Sequence, residues 1–315
     1  MEDYPKDLAE FEARFSDEAS CRAYVFQLRW PEGFRCPRCS HGQAWPVRGS
    51  WYECAACGHQ SSVISGTVLA GTRKPLVQWF RAMWAVTSSK SGISAMGLQR
   101  VLGLGSYKTA WTWLQKLRRA MVRPGRDRLA GAVEVDETYV GGRQEGHEGR
   151  SLGRKSLVVI AAEEDGRKIG RIRMQRVPDA SAASLQGFVA QAVAPGSVVH
   201  TDGWRGYASL AGKGYDHQPL AQGRLDIPGA DEDLLPRVHR VVSLLKRWLL
   251  GTHHGAVSGP HLDYYLDEFT FRFNRRTSRS RGKLFYRLVQ QAVAIGPAPY
   301  ATLTRQVRGR GRHKG

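Results

Sequence analysis

Two aspartates that end short apolar segments are the side chains of this sequence best suited to chemistry. Asp136 ends the segment GAVEVD, and Asp202 ends the segment SVVHTD. Both segments are typical of β-strands, and carboxylates delivered by separate strands can bind divalent metal ions. Two such ions about 3.5–4 Å apart can activate an attacking oxygen and stabilise a leaving one in phosphoryl transfer. The competing interpretations are a solvent-exposed strand end at Asp136 and an ordinary turn at Asp202-Gly203.

The charge of the chain indicates what such a site would act on. Its 315 residues include 47 Lys and Arg against 28 Asp and Glu, which gives a formal net charge of +19. So basic a protein is expected to bind a polyanion, and acids held within it suggest an enzyme that cuts or joins nucleic-acid phosphates. No acid follows Glu268, and the chain ends in RGRGRHKG. We therefore predict a basic tail over 296–315 that tracks DNA, is simply solvated, or both.

A membrane is not expected to be the partner. No apolar run reaches the ~20 residues of a membrane-spanning helix, and no amphipathic anchor accompanies the basic tail. The first residues lack the basic and then apolar regions of a signal peptide. These features predict a cytoplasmic protein.

Four of the five cysteines form two pairs with the spacing of a zinc site. Cys36 and Cys39 form CPRC, Cys54 and Cys57 form CAAC, and 14 residues lie between the pairs. Each pair places two thiolates on one turn, and four thiolates close a tetrahedral structural zinc site. The alternatives are reduced cysteines unrelated to one another, and disulfides, which a reducing cytosol disfavours. We expect a zinc ribbon over 31–70, and a buried Cys21 in a helical segment over 1–30.

The residues after the ribbon predict three helices, over 76–90, 94–102 and 106–122. The last two are joined by Gly103-Leu-Gly105, with Ser106 as an N-cap, which is the outline of a helix-turn-helix. The basic residues expected to meet DNA from the second of these helices are Lys108, Lys116, Arg118 and Arg119. The alternative is a helical bundle over 71–123 that only connects domains. The segment RPGRDR over 123–128 predicts the domain boundary.

From residue 129 the pattern changes to strands. We predict strands over 132–140, 156–162 and 169–177, a helix over 180–193, a strand over 198–201, a helical turn over 204–211 and a strand over 215–220. This order is that of an RNase H-like sheet, in which the first and fourth strands are neighbours, so Asp136 and Asp202 would meet. The predicted fold is therefore α/β: an RNase H-like catalytic domain over 129–295, preceded by the zinc ribbon and the helix-turn-helix-like segment.

Several segments, in this order, resemble bacterial insertion-sequence transposases of the DDE superfamily, and most closely the zinc-ribbon-bearing family numbered fifteen-ninety-five. The matching segments are CPRC with CAAC, VEVDETYVGG, HTDGWRGY, VHRVVSLLKRWLLGTHH and YLDEFTFRFNRR. The resemblance implies cleavage at the ends of a DNA element and attack of the freed 3′-hydroxyls on target DNA. It also implies catalytic Mg²⁺ or Mn²⁺, a homo-oligomer on DNA, and a place at the bacterial nucleoid.

The resemblance assigns Asp136 and Asp202 to the first two acids of the family's triad. His239 occupies the third position, where the superfamily usually has glutamate. Imidazole can bind a divalent ion, although it suits manganese or zinc better than magnesium, or it can hydrogen-bond a metal-bound water. Lys246 follows two helical turns later on the same face, where it could hold a phosphate. The alternatives are a helix histidine bonded to a neighbour and a solvated lysine. The rival acids are Glu232, Asp233, Asp267 and Glu268.

The segment from His261 onward predicts a helix whose phenylalanines at 269, 271 and 273 pack in a core. Arg272, Arg275 and Arg276 would then reach DNA phosphates. Three functions compete: an active transposase, a catalytically inactive zinc-ribbon DNA-binding protein derived from one, and a different RNase H-like nuclease such as a junction resolvase. The histidine at position 239 is the feature that favours the inactive protein.

Overall fold

The chain divides into two compact units in a computed structural model that describes residues 2–123, 125–141, 155–220, 234–255, 257 and 259–308. The first unit comprises Met1–Arg123 and Thr277–Gly315, and the second comprises Pro124–Arg276. The second unit thus ends at Arg276, whereas the sequence predicts a catalytic domain that continues to residue 295. A helix after Arg276 belongs to the first unit because it packs on helices from the start of the chain.

The described residues contain both helices and strands. The helices are α1 (Leu8–Arg14), α2 (Glu18–Arg29), α3 (Leu76–Ser88), α4 (Ala95–Leu102), α5 (Tyr107–Arg119), α6 (Ala182–Ala192), α7 (Pro236–His253), α8 (Leu262–Phe273), α9 (Arg281–Ala294) and α10 (Tyr300–Arg308). The strands are β1 (Ala44–Arg48), β2 (Trp51–Cys54), β3 (Gln60–Ser62), β4 (Ala132–Val140), β5 (Ser156–Asp165), β6 (Lys168–Val177), β7 (Val198–Thr201) and β8 (Asp216–Pro219). None of these helices is long and apolar enough to cross a bilayer.

An aromatic cluster forms the core of the first unit. Phe285 of α9 is fully buried, and its ring centroid lies 5.3 Å from that of Phe11 and 5.5 Å from that of Phe80. Burying one such side chain stabilises a fold by about 1.5–3 kcal/mol. The cluster therefore joins α9 to α3, about 190 residues earlier in the sequence, and to α1, about 270 residues earlier. The described part of the predicted tail is the helix α10, and residues 309–315 lie outside the described residues.

The helix-turn-helix outline is present in α4 and α5. Helix α4 ends at Gly103, whose φ of 60° lies in the left-handed region that glycine adopts without strain. Ser106 then caps α5, since its hydroxyl accepts a hydrogen bond of 3.2 Å from the backbone N–H of Lys108. Helix α5 ends at Arg119, three residues earlier than predicted.

The second unit is built on a five-stranded mixed sheet with the strand order β6-β5-β4-β7-β8. Strands β4, β5 and β6 are antiparallel neighbours, and β7 and β8 run parallel to β4. The predicted adjacency of the first and fourth strands is confirmed. Helix α6 covers one face of the sheet, and α7 and α8 cover the other.

The outer edge of the sheet is covered by the residues that follow α8. The side-chain amide of Asn274 accepts a hydrogen bond from the backbone N–H of Ile172 at 2.8 Å and donates one to its carbonyl at 3.1 Å. The guanidinium of Arg276 donates to the carbonyls of Ile169 and Gly170. The side chains of Asn274 and Arg276 therefore hydrogen-bond the backbone of β6 along the edge where none of the described strands pairs with it.

Candidate active site

The register of two parallel strands brings the two predicted aspartates together. In the pairing of β4 with β7, Glu134 lies opposite His200. Asp136 and Asp202 come two residues later in each strand direction, so their side chains emerge on the same face of the sheet. Burial raises the pKa of Asp136 above its ordinary value, and the nearby Asp202 carboxylate raises it further, against the lowering effect of a backbone hydrogen bond and of His239. The two carboxylates are thus close enough to repel each other.

His239 reaches the same place from α7. The helix lies on this face because Val238, Val241 and Leu245 are fully buried beneath it. The histidine side chain is 49% exposed, and its Nε2 atom lies 3.2 Å from Oδ2 of Asp136. An imidazole nitrogen, two carboxylates and an open side toward solvent form an arrangement that can accept a divalent ion.

Asp136, Asp202 and His239 are less tightly grouped than the ligands of a closed metal site. Among the described residues, only the four ribbon cysteines bring three or more potential ligand atoms within 4.8 Å of one another. At least one pair among Asp136, Asp202 and His239 therefore lies beyond that distance, although Nε2 of His239 is 3.2 Å from Oδ2 of Asp136. Lys246 is exposed on α7, about 10 Å along the helix axis from His239 at 1.5 Å per residue.

The loop after β7 holds Asp202 by hydrogen bonds to the neighbouring elements. Oδ1 of Asp202 accepts a hydrogen bond from the backbone N–H of Trp204 at 2.9 Å, and the Trp204 indole donates to the carbonyl of Ala180 at 3.0 Å. Gly206 fits closely here, because a Cβ atom would lie 2.7 Å from Cδ1 of Leu185 and 3.0 Å from the Ala180 carbonyl. The conformation of this loop therefore depends on a residue without a side chain.

Tyr207 connects this loop to β4 on the other face of the sheet. Its hydroxyl donates to Oε2 of Glu137 at 2.9 Å, and the side chain is fully buried, which raises the pKa of Tyr207. Glu137 follows Asp136 directly, so the hydrogen bond joins the residues next to one aspartate to the loop that carries the other. The sequence motif HTDGWRGY marks these residues, but their contacts depend on tertiary structure and were not predicted.

Of the four rival acids, the two that the structure describes lie on α8. Asp267 lies in α8, where burial raises its pKa to about 7 against the opposing effect of Arg126. Glu268 is buried and pairs with Arg272 at 2.7 Å. Glu232 and Asp233 lie outside the described residues.

The four predicted zinc ligands lie together in the first unit. The Sγ atoms of Cys36 and Cys57 are 3.7 Å apart, and those of Cys39 and Cys54 are 3.6 Å apart. Tetrahedral zinc with bonds of about 2.3 Å requires sulfur atoms roughly 3.8 Å apart, so the cysteines fit the ion. Strands β1 and β2 form a hairpin with Cys54 at the end of β2, and β3 adds a third strand. Cys21 is buried, as expected.

The residues predicted to meet DNA from α5 differ in accessibility. Lys108 is exposed, with its Nζ atom 4.1 Å from the centre of the Tyr300 ring. Lys116 is half-buried, which lowers its pKa. Arg118 is only 1% exposed, so its guanidinium is not offered to a DNA backbone, and Arg119 is half-buried. The accessible end of α5 is its N-terminus.

The arginines around the end of α8 are engaged within the second unit. Arg272 pairs with the buried Glu268, Arg275 lies over the Phe271 ring at 4.1 Å, and Arg276 lies over the Phe273 ring at 4.0 Å. Of the three arginines, Arg276 alone is exposed. The predicted helix and its buried phenylalanines are confirmed.

Comparisons with known families assign both parts of the chain. Residues 128–274 match the family described as ISXO2-like transposase domain, and residues 16–60 match the transposase zinc-ribbon domain. The chain belongs to the insertion-sequence transposases of the family numbered fifteen-ninety-five, as the sequence motifs predict.

A relative in Halobacterium salinarum is an uncharacterized protein in transposable element ISH50. It is 27% identical over 291 residues, which cover 85% of this chain and 94% of the relative. A chain in the structure of the simian T-cell lymphotropic virus intasome with PP2A regulatory subunit B56 gamma aligns with a TM-score of 0.29 and 12% identity. That alignment covers 53% of this chain and 63% of the other, and the likeness is too low to carry a conclusion.

Proposed function

We propose that the protein is an RNase H-like DNA transposase. It would cleave the ends of an insertion element and join their 3′-hydroxyls to target DNA by metal-dependent phosphoryl transfer. The observation that carries this proposal is the parallel pairing of β4 with β7, which puts Asp136 and Asp202 at the same end of neighbouring strands, with Nε2 of His239 3.2 Å from Asp136. The strand order, with three antiparallel strands followed by a parallel neighbour of the first, supports the RNase H-like assignment.

The residues present suit Mg²⁺ or Mn²⁺. Asp136 and Asp202 would supply carboxylate oxygens and His239 a nitrogen, a donor set that favours manganese more than an all-oxygen site does. A bound cation would also offset the burial and the repulsion from Asp202 that together raise the pKa of Asp136. When bound, the divalent ions supply Lewis-acid stabilisation of the attacking and leaving oxygens. Lys246, exposed on the same helix, would hold a phosphate of the DNA.

The first unit would deliver the DNA. A structural zinc ion would hold the ribbon, and the exposed N-terminal turn of α5 would enter a groove, with Lys108 among the contacts. Two element ends must be held together for insertion, so we propose that copies of the chain assemble on DNA in the cytoplasm, at the nucleoid.

The test uses the terminal inverted repeats that flank the gene as substrate, with Mg²⁺ or Mn²⁺. Asp136→Asn should abolish 3′-end cleavage and leave DNA binding intact. Asp216→Asn is the matched control, because Asp216 is an exposed carboxylate of the same sheet, on β8, and this variant should cleave normally. Cleavage that persists in the Asp136 variant would refute its assignment.

The histidine at position 239 favours a second candidate, a catalytically inactive DNA-binding protein. His239→Glu and His239→Ala distinguish the two, with His254→Ala as a control at an exposed position at the end of the same helix. If His239 binds metal, the alanine variant should lose cleavage and the glutamate variant should gain preference for Mg²⁺. Binding to element ends without cleavage in either metal would favour the inactive protein. Cleavage of branched DNA without strand transfer would indicate a resolvase-like nuclease instead.

A further inference from the structure

Helix α7 starts without a capping side chain of its own. Its N-cap residue, Leu235, makes no side-chain hydrogen bond to the helix, which leaves backbone N–H groups to be satisfied from elsewhere. Glu134 of β4 satisfies two of them, since its Oε2 atom accepts from the backbone N–H of Arg237 at 2.8 Å and of Val238 at 2.9 Å. The carboxylate that caps the helix therefore comes from the strand that carries Asp136.

The charge of this buried carboxylate is balanced by the helix that it caps. Glu134 is only 2% exposed, and its Oε1 atom lies 2.8 Å from a guanidinium nitrogen of Arg237. The same guanidinium lies 3.2 Å from Oε2 of Glu164 and donates to the carbonyl of Gly166 at 2.8 Å. A buried ion pair is weak support for stability but can select one geometry over others. Here it fixes the first turn of α7 against β4 and β5.

The fixed turn is the one that presents the histidine. Glu134 and Asp136 lie on one face of β4, two residues apart, while Arg237 and His239 lie two residues apart at the start of α7. We propose that Glu134 and Arg237 are positioning residues that set the distance between His239 and Asp136, and this proposal rests on the proposed function. A slip of the helix by one residue would rotate His239 by about 100° around the helix axis, away from the aspartate.

Glu163 offers a matched control in the same sheet. It is nearly buried, accepts from the backbone N–H of Ala130 at 2.9 Å and of Arg171 at 3.1 Å, and bonds the Arg171 side chain at 2.7 Å. These partners lie outside α7. Glu163→Gln therefore removes the charge from a similar cluster without touching the turn that carries His239.

The first measurement needs neither metal nor DNA. In ring ¹⁵N spectra of the zinc-loaded full chain, the His239 signal is assigned by its loss in His239→Gln. In an otherwise wild-type chain, Asp136→Asn should shift that signal, because the two side chains are in contact. When Glu134→Gln is also present, Asp136→Asn should no longer shift the signal. When Glu163→Gln is present instead, the shift should remain. If Glu134→Gln does not fold, Arg237→Gln decides, because it keeps the two backbone hydrogen bonds and should weaken the response. An undiminished response in the variant that folds would overturn the proposal.

The second measurement is Mn²⁺ affinity by calorimetry. Loss of a residue that orients a metal ligand costs about tenfold to 100-fold in affinity. We expect a loss of about tenfold for Glu134→Gln and less than about twofold for Glu163→Gln. In a His239→Ala background, Glu134→Gln should cause no further loss of Mn²⁺ affinity, because Glu134 acts by positioning the histidine that is then missing. A full loss in that background would overturn the proposal. Failure of the transposase assignment would appear separately, as absent cleavage with the ring response intact.

Discussion

The hydrogen bond between Tyr207 and Glu137 provides the sharpest stability test, because Tyr207→Phe removes one hydroxyl and leaves the ring in place. The ring is fully buried and the donor–acceptor distance is 2.9 Å. Hydrogen bonds to charged groups contribute about 1.5–3 kcal/mol. Glu137 is half-buried, so water can replace part of the lost bond, and we expect a cost of about 1–2 kcal/mol. For a unit of this size that lowers the melting temperature by roughly 2–8 °C.

The assay is thermal unfolding of the zinc-loaded chain, with Tyr215→Phe as the control. Tyr215 is 6% exposed, and its hydroxyl donates to the neutral carbonyl of Val193 at 3.2 Å. Its removal should cost about 0.5–1.5 kcal/mol. With Glu137→Gln in the background, the cost of Tyr207→Phe should fall toward that of the control. Equal costs for the two tyrosines, or no change in the Gln background, would refute the argument that the carboxylate charge makes this bond strong.

Three further predictions follow from the geometry. Gly206→Ala should destabilise the loop that holds Asp202 by about 1–3 kcal/mol, as overpacking does. Thermal unfolding measures this cost, with Gly212→Ala as the control, because a Cβ at Gly212 meets nothing within 4 Å. Cys36→Ser should remove the bound zinc, measured by metal analysis, and lower the unfolding temperature of the first unit, whereas Cys21→Ser should keep one zinc per chain. Burial raises the pKa of Asp267 to about 7, so the folded state binds this proton more tightly than the unfolded state does, and the stability it confers is lost as pH rises from about 4 through about 7. Asp267→Asn should therefore gain stability relative to the wild type between pH 5 and pH 8, while Asp216→Asn, at an exposed carboxylate on β8, should not. A parallel pH response of both variants would contradict the assignment of the raised pKa to Asp267.

The features predicted from sequence are those that local spacing determines. The cysteine pairs predicted the ribbon because metal geometry needs only two short motifs. The adjacency of β4 and β7 followed from element order, and with it the placement of Asp136 and Asp202 at the same end of neighbouring strands. The alternation of side chains along a strand likewise implies that Glu134 shares the face of Asp136 and that Glu137 lies on the opposite face, as the structure has them.

The features that were not predicted depend on long-range packing. Arg118 lies in a basic helix, and only the tertiary fold shows that its side chain is buried. Helix α9 follows the second unit in sequence, yet Phe285 packs with Phe11. The role of Glu134 depends on a helix that starts about 100 residues later. In each case the partner is set by packing rather than by a local motif.

The side chains of Asn274 and Arg276, which cover the edge of β6, have a consequence for solubility. Unpaired strand edges recruit strands from other molecules and start aggregation. Asn274 occupies the donor and acceptor of Ile172 as a neighbouring strand would. At the other edge, β8 is four residues long and ends in Pro219, which has no N–H to donate. If several copies assemble on one DNA molecule as proposed, these edges would be protected from pairing with the sheet of a neighbouring copy. Asn274→Ala should expose the edge of β6 and cause concentration-dependent aggregation.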